Sequence, residues 1–236
     1  MPRDTLTRDQ IAAAAVELLD ARGLEGLSMR ALGQRLGSAA TAVYWHVAGR
    51  DDLIVLAADR AWQEVALPRQ DPRDWRVAAA RMAIDLHAML VRHPWLVQAF
   101  GAHPFFGPAK ARHDEHALGL YTAAGFPGAQ AERAAAAVFT FVLGNALGPA
   151  SAASLARRQD RAGSGGDGDA QQALRAAAAK ARGAAAQHLR LRARLDTPAA
   201  SGIGAPEQTF ELGLRALLDG LEAQRVAIRQ ESGDRT

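Results

Sequence analysis

The chain has no cysteine in its 236 residues, which excludes disulfides, thiolate metal sites and cysteine nucleophiles. That suits the reducing cytoplasm, the expected location. The opening residues Met1-Pro2-Arg3-Asp4 lack the apolar run of a secretion signal. Strong charge of one sign is also missing. The formal net charge is +3, and residues 1–50 hold six basic groups against five acidic ones. The basic excess lies instead in residues 157–194, with nine Arg/Lys against three Asp. Charge alone therefore does not identify an anionic partner. One stretch lacks charge altogether: the 23 residues between Arg133 and Arg157, long enough to cross a bilayer. Gly144, Asn145, Gly148 and Pro149 interrupt it, and Pro149 is expected to break or kink a helix there. Val138, Phe139, Phe141, Val142 and Leu143 put apolar side chains on every face. This reads as a helix buried between two neighbours, and no membrane partner is expected.

What the chain does have, with 49% hydrophobic residues, is material for a core and a run of amphipathic helical patterns. The informative stretch is Ser28 to Arg50. Ser28 is placed to cap a short helix, with Ala31, Leu32 and Leu36 on one face and Gly37 to end it. A second short helix, about Ala40 to Trp45, follows with Val43 as its inward anchor. Helix, glycine turn, helix is the arrangement that offers a second helix to the DNA major groove. Tyr44, Trp45 and His46 are adjacent and cannot all enter one core. Arg30, Arg35 and Arg50 are the charges of this stretch, and it contains no acid. A helical hairpin whose aromatics cap a core shows the same pattern, so periodicity alone leaves both readings open.

Upstream, Thr7-Arg8-Asp9-Gln10 fits a capping box, and Ile11, Ala15, Leu18 and Leu19 form a stripe closed by Gly23. Ile11 to Gly23, Gly26-Leu27-Ser28, Leu36-Gly37, Val43-Tyr44-Trp45-His46-Val47 and Arg50-Asp51-Asp52-Leu53 together resemble the DNA-binding domain of the TetR family of bacterial transcriptional repressors. The Tyr-Trp-His-Val run is closest to its tetracycline repressor branch. Phe210 to Leu214 and Gly220-Leu221-Glu222 resemble the last helix of that branch. The resemblance implies an all-α protein: a three-helix helix-turn-helix domain, a connecting helix that swings when ligand binds, and a larger helical ligand-binding and dimerisation domain. We place these at residues 1–49, 50–66 and 67–236.

Ser28, Arg30, Ser38, Ala40, Thr41, Tyr44, Trp45, His46 and Arg50 are the candidate DNA-binding residues. The Arg30 fork matches the two acceptors of a guanine edge. Thr41, Tyr44, His46 and Arg50 are expected to position the DNA backbone, and Trp45 to meet a base methyl or simply pack. Ala39 and Ala42 stand where family members usually carry polar residues, so phosphate and cap contacts are expected at Ser38 and Thr41 instead.

Beyond the connecting helix, helical patterns recur over about 74–92, 95–100, 109–124 and 129–156. The Gly/Ser/Asp-rich segment within 157–172 lacks the endings of a phosphate-binding or EF-hand loop and reads as a mobile linker. A basic alanine-rich helix about 169–195 follows. Phe210, Leu214, Leu217, Leu218 and Leu221 then form a stripe that needs a partner. Packed beside helix 129–155 it provides half of a four-helix bundle between two chains, and the resemblance implies the same homodimer. An intramolecular core is the alternative.

For the effector, an alignment with the tetracycline repressor keeps only His103. Glu64, Met82, Leu86, Phe106, Ala117 and Gly148 replace its other polar positions, which argues against magnesium–tetracycline. Met82, Leu86, Met89, Phe105, Phe106 and Phe139 suit an apolar or aromatic compound, with His103 as a polar handle. Ordinary core packing is the competing reading of the same residues. His113 and His116 are i, i+3 neighbours, but lack a third ligand at diagnostic spacing and read as solvated surface histidines. No metal, cofactor or catalytic residue is expected. The composite expectation is a transcriptional regulator, a repressor released from a palindromic operator by a small ligand. The alternatives are an activator, or a helical enzyme or binding module with a structural N-terminal hairpin.

Overall fold

A computed structural model describes residues 6–37, 40–163, 176, 179–180, 182–195 and 206–233. Among them are helices and turns and no strand. The chain divides into two compact units, one of residues 1–151 and 214–236, the other of residues 152–213.

In the first unit, α1 (Arg8–Gly26) starts at the capping box expected from its sequence. The Gln10 amide donates to Thr7 Oγ1 at 3.2 Å, and the Thr7 amide to Gln10 Oε1 at 2.8 Å. Gly23 kinks the helix with φ +66°, a conformation that favours glycine. α2 (Met29–Arg35) is capped by Ser28, whose Oγ accepts from the Ala31 amide at 3.1 Å. Gly37, at φ +58°, turns the chain toward α3 (Ala40–Val43). The second helix of the pair is shorter than its pattern suggested, because residues 44–46 form a turn instead. Ile11, Leu18, Leu19, Leu32, Val43 and Val47 from the three helices close a small core.

α4 (Arg50–Trp62) crosses from this core to the remaining helices. Leu53, Ile54, Ala57, Ala58, Ala61 and Trp62 are buried along it. α5 (Trp75–Arg92), α6 (Pro94–Ala99) and α7 (Pro108–Ala123) follow. The seam between the expected segments at residues 49 and 50 is packed, for α1 lies against both α4 and α6. α4 also supplies the cap of α7. Asp59 Oδ1 accepts the Ala109 amide at 2.7 Å and the Lys110 amide at 3.3 Å, two donors that α7 cannot satisfy itself. Gly107 lets the backbone pass, since a Cβ there would sit 2.1 Å from the same Asp59 oxygen.

α8 (Gly128–Gly163) corrects three expectations. It continues past Pro149 without ending, so that residue costs one amide donor but not the helix. It also runs through residues 157–163, where a mobile linker was expected; residues 164–172 lie outside the described residues. Nor is it covered on every side. Ala131, Ala134, Val138, Val142, Ala146 and Ala150 are buried at helical spacing, while Ala137, Gly144, Leu147 and Gly148 are exposed. It is the one helix found among the described residues that is long and apolar enough to cross a membrane. The expected basic helix of 169–195 is interrupted by a turn and bend at 186–188 before α9 (Leu189–Leu195). Finally, α10 (Pro206–Gly233) runs from the second unit into the first. In the first unit it buries Leu214, Leu218 and Leu221. Trp75 Nε1 donates to Glu222 at 3.1 Å, and Arg76 pairs with Asp219.

Replacing Asp59 by Ala removes the cap that α4 lends to α7. The expected loss is about 1 kcal/mol, read in thermal denaturation as a fall in Tm of about 2–4 °C.

Candidate nucleic-acid interface and internal cavity

The three arginines of the helix-turn-helix stretch separate once their neighbours are known. Arg35 pairs with Glu17 of α1, its Nε donating at 2.7 Å. Arg50 donates to the carbonyl oxygens of Leu27, at 3.2 Å, and Leu24, at 2.6 Å. It thereby satisfies acceptors at the end of α1 and braces α1 against α4 while remaining exposed. Arg30 is exposed in the first turn of α2, with no hydrogen bond or ion pair to any described residue.

The other expected contacts are on α3 and in the turn after it. Thr41 is exposed on α3 and His46 half-buried in the following turn. Trp45 is 89% exposed and Tyr44 54%, while Val43 and Val47 on either side are buried. Two large aromatic rings held in water by buried anchors are unfavourable for a chain without a partner at that surface. Ser28 faces its own helix as a cap but keeps a hydroxyl proton to donate. Ala40 opens α3; Ser38 and Ala39 lie outside the described residues.

A narrow cavity of ≈ 30 Å³ lies between α5, α7 and α8. Met82 and Leu86 of α5 and Phe139 of α8, three of the candidate effector residues, line it. The other expected residues do not. Met89 is buried elsewhere in the core, and Phe105 packs edge-on against Phe100 at 5.0 Å. Phe106 is 86% exposed. His103 reaches away to the start of α4, its Nε2 3.3 Å from Asp51 Oδ1.

The polar side of the cavity comes from α7 instead, through His113 and Tyr121. Burial pushes the Tyr121 phenol above its ordinary range, leaving it a neutral donor. His113 is buried, not solvated as its neighbours Asp114 and Glu115 suggested, and His116 is half-buried. The missed signal is a stripe: His113, Ala117, Leu120, Tyr121 and Ala124 recur at i, i+4, i+7, i+8 and i+11, and all five are buried. Among the described residues no cluster of three or more His, Asp or Glu could hold a metal ion.

The cavity wall touches α4 through one ring. Trp62 lies 4.8 Å from His113 and 6.3 Å from Phe139, centroid to centroid. Its indole N–H is buried with no partner among the described residues. Lys110 places its ammonium 5.2 Å from the Trp62 ring and 5.4 Å from Phe139, and pairs with Asp114. Burial opposes ionisation of Asp114, but His113 and Lys110 hold its carboxyl below the ordinary value. The arrangement connects cavity, α7 and α4 mechanically, and nothing in it resembles a nucleophile with its base.

Known proteins show the same organisation. Residues 11–57 match the family model for bacterial regulatory proteins of the tetR family, and residues 67–225 that for the tetracyclin repressor-like C-terminal domain. A transcriptional regulator of the helix-turn-helix type from Saccharopolyspora erythraea is 36% identical over 223 residues, covering 92% of this chain and 85% of its own. The class A tetracycline repressor from Escherichia coli is 27% identical over 235 residues, covering 98% and 97%. The crystal structure of the Streptomyces coelicolor protein ActR in complex with actinorhodin superposes with a TM-score of 0.72 at 28% identity, covering 94% of this chain and 98% of that one. These matches displace the helical-enzyme alternative. With both of its segments matched in order, the chain belongs to the TetR family of DNA-binding transcriptional regulators.

Proposed function

We propose that the protein is a homodimeric repressor that leaves a palindromic operator when a small aromatic ligand enters the α5–α7–α8 cavity. The observation that carries the DNA half is the surface of Arg30, Thr41, Tyr44, Trp45 and His46, which is polar and aromatic, exposed, and held by buried Val43 and Val47. Arg30 is the base reader and the others position the backbone. Ser38 belongs to the same proposed surface.

The homodimer is supported by the uncovered side of α8 and its neighbour α10. Ala134, Ala137, Leu217, Leu221 and Ile228 line an open groove between them. A second copy covering these faces sets two recognition elements roughly 34–36 Å apart, one turn of DNA. A protein acting on chromosomal DNA works in the cytoplasm of a bacterial cell.

Met82, Leu86, Val138 and Phe139 offer the effector an apolar and aromatic bed, with Tyr121 and His113 at its polar edge. A flat aromatic body bearing a carbonyl or phenolic oxygen matches that donor set. At ≈ 30 Å³ the cavity has room for water but not for such a ligand, so α7 and α8 must part to admit it. Displacement of α7 pulls on α4 through Asp59 and the Trp62–His113 contact. The movement changes the spacing of the two readers and favours a state unable to bind DNA. ActR is described in complex with actinorhodin, which supports a small-molecule effector for this related chain.

Promoter fragments selected from the source genome test the reading directly. Specific binding is expected to weaken linearly with salt on logarithmic axes as counterions leave the DNA. Indifference to every fragment at low ionic strength overturns the repressor reading. Arg30→Ala is expected to cost about 1–3 kcal/mol of operator affinity and to relax preference at one base pair, which a binding-site selection reads. Ala137→Arg places a charge in the α8–α10 groove. Sedimentation is expected to show monomers, with operator binding lost in parallel.

A further inference from the structure

The junction of α5 and α6 holds a buried histidine that none of the roles above uses. His93 is the single residue between the two helices, followed by Pro94 at the start of α6, and only 3% of its surface is exposed. Its Nδ1 lies 2.7 Å from Asp20 Oδ1 on α1, and its Nε2 lies 3.1 Å from Glu64 Oε1 in the turn that ends α4. Each carboxylate has a second donor. Trp95 Nε1 of α6 donates to Asp20 Oδ1 at 2.8 Å, and Arg92 of α5 pairs with Glu64.

Both ring nitrogens therefore face carboxylate oxygens. An ionised carboxylate only accepts, and neutral imidazole has only one N–H, so the geometry calls for the imidazolium, which donates from both sides. The charged groups facing the ring are Asp20 from α1, Glu64 from the turn after α4, and Arg92 from α5; α6 contributes the neutral Trp95. With the proton in place, two positive and two negative groups cancel. Without it, a lone pair is turned toward one of the carboxylates, and a net negative charge remains beside the buried ring.

We propose that protonated His93 is a latch that fixes α1 of the helix-turn-helix domain and the far end of α4 to the α5–α6 corner of the effector domain. The positions of these two helices set where the recognition element points. The described state has the latch closed and an effector cavity too small for a ligand. Resting on the repressor reading, in which the ligand-free form binds operator, the closed latch supports the DNA-competent arrangement. His93 acts through Asp20 and Glu64 and touches neither DNA nor ligand: it is a positioning residue.

The direction of the pH dependence follows from the surroundings. Burial works against the charge, but Asp20 and Glu64 outweigh it and raise the His93 pKa above its ordinary value of 6.5. A raised pKa in the fold means that the contribution is complete below about 6.5 and is lost as pH rises through the higher folded value. The latch thus opens as pH rises above the ordinary histidine range.

The test compares the intact protein with His93→Gln and with the near-isosteric Asp20→Asn, which lowers the ring's affinity for its proton without removing the ring. Binding to a genome-selected promoter fragment is measured from pH 6.0 to 8.5 at constant ionic strength. The quantity read is the difference between each variant's profile and that of the unchanged protein. The unchanged protein is expected to lose about fivefold more affinity across this range than His93→Gln, and Asp20→Asn to shift the fall to lower pH. The histidine ring resonances, assigned by loss of one signal in His93→Gln, should show a midpoint above 6.5 for His93 and a lower one in Asp20→Asn. Parallel DNA profiles for all three proteins, or a His93 midpoint at or below the ordinary value, overturn the latch and leave the repressor reading standing. Absence of binding to every fragment even at pH 6.0 overturns the repressor reading and the latch's part in it.

Discussion

Everything in the first unit depends on what α4 touches at its two ends. At the start, the Arg50 guanidinium ties it to the final carbonyls of α1. Toward the other end Asp59 holds the first amides of α7, and Trp62 lies against the wall of the cavity. Between these points the helix is anchored by Leu53, Ile54, Ala57, Ala58 and Ala61, all fully buried. A helix clamped in this manner moves as a body, because bending it sacrifices core contacts all along its length. In the proposed mechanism that rigidity carries a displacement at the cavity to the DNA surface.

The contacts binding α4 differ in kind, and the difference matters for how the protein can switch. Apolar packing against α1 is tolerant of sliding, whereas the Asp59 cap and the His93 pair are directional and fail over a fraction of an ångström. Directional bonds between modules define which arrangements are distinct, and apolar packing keeps each arrangement stable. The reader keeps its own fold through the move, since its core of Ile11, Leu19, Leu32 and Val43 is internal to it.

The legible parts of this chain were those with local causes. The Thr7–Gln10 capping box, the Ser28 cap and the left-handed Gly37 each rest on neighbours within three residues, and each is found where the pattern places it. The buried stripes of α1 and α10 follow from spacing in the same way. What escaped was decided by distant partners. Nothing near Arg50 announces the carbonyls of Leu24 and Leu27, and nothing near Arg35 announces Glu17. Phe106 was assigned to a ligand site on hydrophobicity, but the backbone at Gly107 turns close beneath Asp59 and leaves that ring in solvent. His113 is the instructive case. Its charged neighbours suggested an exposed face, although its own spacing from Ala117, Leu120 and Tyr121 put it on the buried one. Period outweighs the polarity of adjacent residues when the two disagree.

The tightness of the cavity also governs timing. A site with ≈ 30 Å³ of free space is too tight for a multi-ring molecule, so in the proposed mechanism entry waits for thermal parting of α7 from α8. Uptake then behaves as a gated process: its speed climbs with effector concentration at first and levels off at the frequency of opening. In such a regulator the frequency of opening, and not the supply of effector, sets the fastest possible response.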